Sequence, residues 1–147
     1  MMTRLLRMVT VSCFALVLSI SVHVVYADPV LLSPDQAFGL TWTDQGRDVR
    51  LRFHVAPGYR LYRDRVMVSD ASGQIAARVP LAAMLPPGSI SYNAALGETV
   101  ETYDHDFEAD VSTPSARPLR IVVRVQGCAD VGVCYPPVER IISLSGR

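Results

Sequence analysis

The sequence predicts an all-β domain, built as a sandwich or barrel of short strands. Two observations carry this. Apolar and polar residues alternate with a period of two in several separate stretches, which marks half-buried strands. Clusters of Gly, Pro, Asp and Ser separate those stretches at short intervals, as turns do between strands. The chain has 147 residues, enough for one domain and short for two. No internal repeat, low-complexity tract or second domain is evident.

The elements follow in order. Residues 1–27 are expected to be a secretory signal peptide. Arg4 and Arg7 give a positive start, and Met8 to Val25 is mostly apolar. Val25-Tyr26-Ala27 then places small residues at the third-last and last positions before a cut. The rival, an uncleaved membrane anchor, fits less well because Thr10, Ser12, Ser19, Ser21 and His23 interrupt the run. Cleavage before Asp28 leaves a domain over 28–147 with no membrane span. Asp28 to Pro34 reads as an extended leader, and Ser33-Pro34-Asp35-Gln36 as the start of a short helical turn.

From Phe38 the period becomes two. Phe38, Leu40 and Trp42 alternate with Gly39, Thr41 and Thr43, with Trp42 expected in the core. After the turn residues Asp44 to Arg47, Val49, Leu51, Phe53 and Val55 alternate with Arg50, Arg52 and His54. That is the clearest half-buried strand. Ala56-Pro57-Gly58 breaks it. Tyr59 to Tyr62, Val66 to Val68 and Ile75 to Val79 are further short strands. Leu81 to Asn93 carries Pro86-Pro87-Gly88 and little period, so it reads as a loop. Leu96 to Tyr103 is ambiguous. Phe107, Ala109 and Val111 alternate with acids. Leu119 to Val125 runs into Cys128, and Val138 to Leu144 is the last strand.

Charge narrows the function classes. Fourteen basic residues face fourteen acidic ones, and every basic residue is Arg. Loss of Arg4 and Arg7 leaves twelve against fourteen, a balance of −2. No basic face emerges, so nucleic acid is excluded as the expected partner. His54 and His105 read as surface residues. A copper site combining them with Met67 and Met84 finds no clustering in the sequence. No Ser-His-Asp pattern, phosphate loop or paired-carboxylate motif is present.

The informative residues are cysteines. Cys13 lies inside the signal peptide, which leaves Cys128 and Cys134 with only each other to pair with. Export would place them where disulfides persist. Five residues including Gly132 separate them, a hairpin-like link between two strand patterns. Opposed residues on antiparallel strands have Cα atoms about 4.5 to 5.5 Å apart, within the range a disulfide needs. Such a bond closes a very short loop and adds little stability, at the low end of about 2–4 kcal/mol. That favours an exchangeable bond over a staple, although spacing alone leaves both readings open.

The run Gln126-Gly-Cys-Ala-Asp-Val-Gly-Val-Cys-Tyr-Pro-Pro137 resembles the active-site hairpin of the DsbD N-terminal-domain family of thiol–disulfide interchange proteins. Ser33 to Phe38 and Gly58 to Arg63 are similar to two other segments of that family, and the resemblance covers the chain beyond the signal peptide. It implies an immunoglobulin-like β-sandwich with the cysteine pair near one end, in the periplasm. It implies relay of reducing equivalents from a thioredoxin-like donor to thioredoxin-fold acceptors of the disulfide isomerase or cytochrome c maturation type. Cys134 would form the mixed disulfide with partners and Cys128 would resolve it. The expected state is a monomer that docks transiently, with no cofactor and no metal.

The resemblance also marks departures. The cap that covers the disulfide in the family falls at Ser91 to Gly97. Alanines stand where aromatic and acidic residues are expected, so Tyr92 or Leu96 would serve as a weaker lid, with Asn93 in the same cap. Arg60 replaces an aromatic residue, whereas Tyr62 matches and is expected near the sulfurs. Asp130 would tune the thiols, since a nearby carboxylate disfavours thiolate. The donor is expected on a separate protein, unless the chain serves another use. The alternative function is a non-catalytic exported sandwich for protein binding with one structural disulfide.

Overall fold

The computed structural model describes residues 30–72, 78–94, 96–114 and 118–145. The expected signal peptide and most of the strand expected over Ile75 to Val79 lie outside them. Among the described residues, no helix is long and apolar enough to cross a membrane.

One helical turn, α1 (Pro34–Ala37), opens the domain. Ser33 caps it: its hydroxyl accepts from the Gln36 N–H, and the Gln36 side chain accepts from the Ser33 N–H. This reciprocal pair satisfies donors that a helix start leaves bare. The strands are β1 (Phe38–Asp44), β2 (Asp48–Val55), β3 (Tyr59–Tyr62), β4 (Met67–Asp70), β5 (Val79–Pro80), β6 (Ala83–Met84), β7 (Ser89–Asn93), β8 (Glu98–Tyr103), β9 (Phe107–Ser112), β10 (Leu119–Val125), β11 (Gly127–Ala129) and β12 (Val138–Leu144). All their pairings are antiparallel. They form three four-stranded sheets, ordered β1-β2-β9-β6, β12-β10-β4-β5 and β11-β3-β8-β7.

The first two sheets form the sandwich. Val49, Leu51 and Phe53 of β2 meet Ile121, Val123, Val68 and Ile142 in one apolar cluster. Period-two alternation explains the split: Arg50, Arg52 and His54 point the other way, to solvent. The third sheet continues the second around a bend. The chain passes between them at the 3-10 turn Arg63–Arg65, at Gln126 and again on the way from β11 to β12. The Tyr62 N–H donates to the Gln126 carbonyl at 3.0 Å and ties the first two of these crossings together. Leu61 and Tyr103 close the core on this side. The fold is the immunoglobulin-like sandwich expected.

Two local expectations are corrected. Leu81 to Asn93 is not a loop: it supplies β6 and β7. Arg63 donates to the carbonyls of Leu85 and Pro86 at 3.2 and 3.1 Å, which holds the proline-rich link between them. Trp42 does not enter the core. It stands opposite Leu51 on the inner side of β1, but the far half of this edge strand overhangs the sandwich and leaves Trp42 46% exposed. The hairpin expected between the strand that runs into Cys128 and the last strand is present: β12 pairs with β10 along its whole length, and the cysteine segment is an excursion from that hairpin into the third sheet.

Candidate functional site

The site lies on the outward face of the third sheet, and strand register builds it. In β3, Tyr59 and Leu61 turn to the core, so Arg60 and Tyr62 point outward. Cys128 stands directly opposite Arg60 in the pairing of β11 with β3. Opposed residues share a face, and Asp130, two residues on, shares it too. Side-chain contacts agree. The Tyr62 hydroxyl lies 3.5 Å from Cys128 Sγ, and Arg60 Nε donates to Asp130 Oδ1 at 2.8 Å.

Gly127 makes the close approach possible. A Cβ there would fall 2.5 Å from the Arg60 carbonyl and 2.6 Å from the Phe38 ring. Only glycine allows β11 to lie this tightly on β3. Beyond Ala129 the chain turns back through Gly132, whose φ of 89° favours glycine. The Gly132 N–H donates to the Ala129 carbonyl and the Asp130 N–H to that of Gly58.

Cys128 and Cys134 form a disulfide with Cα atoms 3.9 Å apart. Two backbone bonds bracket them, Ala129 N–H to Val133 O at 2.8 Å and Tyr135 N–H to Gly127 O at 2.9 Å. The cysteines are therefore a non-hydrogen-bonded antiparallel pair, the kind with the closer Cα atoms. The two do not sit on two full strands, as expected. Cys134 joins the sheet through a single bridge to Cys128. Tyr135 anchors the returning arm: its hydroxyl donates to the Leu32 carbonyl at 2.7 Å and its ring meets Phe38 edge-on. Burial, then the neighbouring Tyr59, pushes the Tyr135 phenol up, which keeps it protonated as that donor.

The sulfurs are unequal. Cys128 is 6% exposed, whereas Cys134 is on the surface. Two cavities flank the bond. One, of about 410 Å³, touches Tyr62, Leu96, Glu98, Val100, Gln126 and both cysteines. The other, of about 390 Å³, touches Arg60, Tyr62, Tyr92, Asn93, Asp130 and both cysteines.

The segment expected as the cap is the tip of the β7–β8 hairpin. Asn93 Nδ2 donates to the Tyr62 hydroxyl at 3.1 Å. With the disulfide sulfur able only to accept, the Tyr62 hydroxyl is the donor to Cys128, and a chain runs from the cap to the sulfur. Asn93 Oδ1 meanwhile accepts from the Leu96 N–H at 3.2 Å. Tyr92 and Leu96 line one cavity each and are 69% and 56% exposed.

Tyr62, Asn93 and Asp130, expected around the cysteine pair, all line a cavity that touches both cysteines. Arg60, noted only as a departure, was missed as part of the site. Counting back two from Tyr62 along a strand would have found it. Among the described residues, no group of three His, Cys, Asp or Glu side chains is placed to hold a metal.

Comparison with known proteins gives a consistent answer. The family described as "Thiol:disulfide interchange protein DsbD, N-terminal" matches residues 28–146. The thiol:disulfide interchange protein DsbD of Ralstonia nicotianae is 38% identical over 110 residues, which is 74% of this chain and 18% of that protein. DsbD 2 of Pseudomonas aeruginosa is 35% identical over 117 residues, 78% of this chain and 18% of that protein. The chain thus spans about a fifth of the length of these relatives. The reduced DsbD N-terminal domain of Neisseria meningitidis superposes with a TM-score of 0.68 and 28% identity, over 79% of this chain and 90% of that one. The same domain in complex with the PilB N-terminal domain gives a TM-score of 0.65 and 25% identity, over 80% and 89%.

Proposed function

Because this chain belongs to the family of DsbD N-terminal domains, we propose that it relays reducing equivalents by dithiol–disulfide exchange at Cys128 and Cys134. The carrying observation is the unequal exposure of the two sulfurs. A thiolate needs an open line to the sulfur it attacks. Cys134 offers one and Cys128 does not. A donor thiolate attacks Cys134 Sγ, the bond to Cys128 breaks, and the electron pair stays on Cys128 as a thiolate. A second donor thiol completes the reduction. In the outward step the Cys134 thiolate attacks an acceptor disulfide, and Cys128 then attacks Cys134 Sγ and expels the acceptor thiolate.

The partners that fit this scheme are thioredoxin-fold proteins on both sides, a donor and acceptors of the disulfide isomerase or cytochrome c maturation type, met by a monomer. The complex with the PilB N-terminal domain supports a docking role for a related domain. Residues 1–27 act as a cleaved signal that brings the domain to the periplasm; secreted protein whose N-terminus is Asp28 checks this.

The decisive test is trapping. In Cys128→Ser, Cys134 should accumulate a mixed disulfide with a thioredoxin-fold protein. No adduct, together with a native disulfide that a thioredoxin-fold donor cannot reduce, would leave a sandwich with a structural bond.

A further inference from the structure

The outward face of the third sheet carries one feature the relay does not require: a cation placed directly across from the buried cysteine. Arg60 is the register partner of Cys128, so the two Cβ atoms lie about 4.5–5.5 Å apart. Its guanidinium is turned onto Asp130 by two hydrogen bonds, from Nε and Nη2 to the same carboxylate oxygen. Cys128 thus shares its sheet face with a paired cation and anion, the cation on its register partner and the anion two residues on, and its sulfur lies 3.5 Å from the Tyr62 hydroxyl.

We propose that Arg60 and Asp130 form an opposed pair of positioning charges that sets the acidity of the Cys128 thiol. Arg60 favours the Cys128 thiolate and Asp130 disfavours it. The proposal rests on the relay reading for its purpose. When a donor thiolate opens the disulfide at Cys134, Cys128 departs with the electron pair, and a more acidic leaving thiol departs faster. When Cys128 later attacks the mixed disulfide, the thiolate is again the reacting species. The same two charges therefore bear on both half-reactions.

Other groups face this place. Asp64, Arg65, Glu98 and Glu101 line the larger cavity beside both sulfurs. Arg65 lies on Asp64 and Arg63 on Glu101, at 3.2 and 3.5 Å, so two of these three carboxylates already carry a cation. Asp104 feels Arg60 as well, although its hydrogen bond from His105 is the main cause that lowers it. These groups stay constant in the variants that follow and cancel in the comparison.

The test exploits the sign. Breaking an ion pair from either end costs the same contact, so a merely structural role would move a neighbouring thiol in one direction. Opposed charges predict opposite directions. In a Cys134→Ser background, the Cys128 thiolate is titrated by its ultraviolet absorbance. Arg60→Gln leaves Asp130 alone beside the sulfur and should raise the Cys128 pKa by about one unit. Asp130→Asn frees the Arg60 charge and should lower it by about one unit. Arg60→Lys keeps the charge and should stay near the parent. Shifts of the same sign, or no shift, overturn the proposal.

A second measurement uses the intact disulfide. A neutral phosphine, tris(hydroxypropyl)phosphine, feels no attraction to Arg60, so its rate of opening the bond reports the leaving thiolate. Arg60→Gln should slow it and Asp130→Asn should speed it; equal changes in both overturn the proposal. Neither measurement involves a partner protein, so a failed trapping experiment and a failed titration remain distinct results.

Discussion

Two outward sheet faces of this domain are built from the same sequence device and do different things. On the first sheet, β2 presents Arg50, Arg52 and His54, while Asp110 and Glu108 of β9 and Asp106 just before it stand across from them. Each Arg there lies directly opposite its own carboxylate, and Arg50 engages Asp110 through two bonds of 2.7 and 3.0 Å. On the third sheet, Arg60 lies directly opposite Cys128 and must reach two residues along the partner strand for Asp130. Alternation alone made the first face a closed ladder of charge. On the third sheet sulfur stands where the first has carboxylate, and on the reading proposed above that one difference makes the second face a site.

Glycine substitutions break the comparison most strongly. Both sheets hold a glycine in a tight pairing: Gly127 in β11, opposite Leu61 and turned to the core, and Gly39 in β1, opposite His54 on the outward face. At Gly39 an added Cβ would meet the His54 Cβ at 3.2 Å, a contact that small shifts relieve. At Gly127 it would meet backbone and ring at 2.5 and 2.6 Å. Gly127→Ala should therefore cost about 3 kcal/mol or more in chemical denaturation, above the usual range for overpacking because backbone must move. Gly39→Ala should stay within about 0.5 kcal/mol. Equal losses would mean that β11 can slide away from β3, and the fixed register behind the site would be lost as an argument.

Tyr62→Phe sharpens the comparison at intermediate size. It keeps the ring and removes the hydroxyl that links Asn93 of the cap hairpin to Cys128. The oxidised protein should lose about 0.5–1.5 kcal/mol of stability, the worth of an ordinary hydrogen bond, as read by denaturant midpoint. Amide exchange over the β7–β8 tip should rise with it. A tip that exchanges as slowly as before would mean that the Asn93–Tyr62 link does not restrain it.

How much of this was legible depended on the range of the interaction. β2, β9 and β10 announced themselves because half-buried strands must alternate, and the Ser33 turn because its cap is local. β6 and β7 were hidden: both are short and exposed, β6 pairs with the distant β9, and the link between them is held by Arg63 on the Leu85 and Pro86 carbonyls. Trp42 misled because alternation gives the face of a strand and not whether the strand ends over the core. The cysteine pair was readable from twelve consecutive residues. Arg60 was not, since its meaning comes from standing opposite Cys128, and register between strands 68 positions apart leaves no mark in the sequence.

The smallest expected effect lies on the ladder and concerns acid. The Arg50 hydrogen bond holds the Asp110 carboxyl below its ordinary value of 3.8. For Asp106 the Val55 N–H is the first cause and His54 the second. A carboxyl with a lower pKa folded than unfolded adds stability above its unfolded value, and that stability is lost as pH falls through the folded value. Both groups face solvent, so screening keeps each contribution small. Asp106→Asn and Asp110→Asn should leave the melting temperature at pH 7 only slightly reduced. The gap to the parent should close as pH falls from 5 toward 2, because the parent then loses the same interactions. Added salt should narrow the gap for Asp110→Asn at neutral pH. It should narrow less for Asp106→Asn, since a carboxylate that accepts from the Val55 N–H at 3.0 Å holds backbone as well as charge. Equal salt sensitivity in the two variants would mean that the Asp106 rung is an ion pair like the other, with no separate hold on the end of β2.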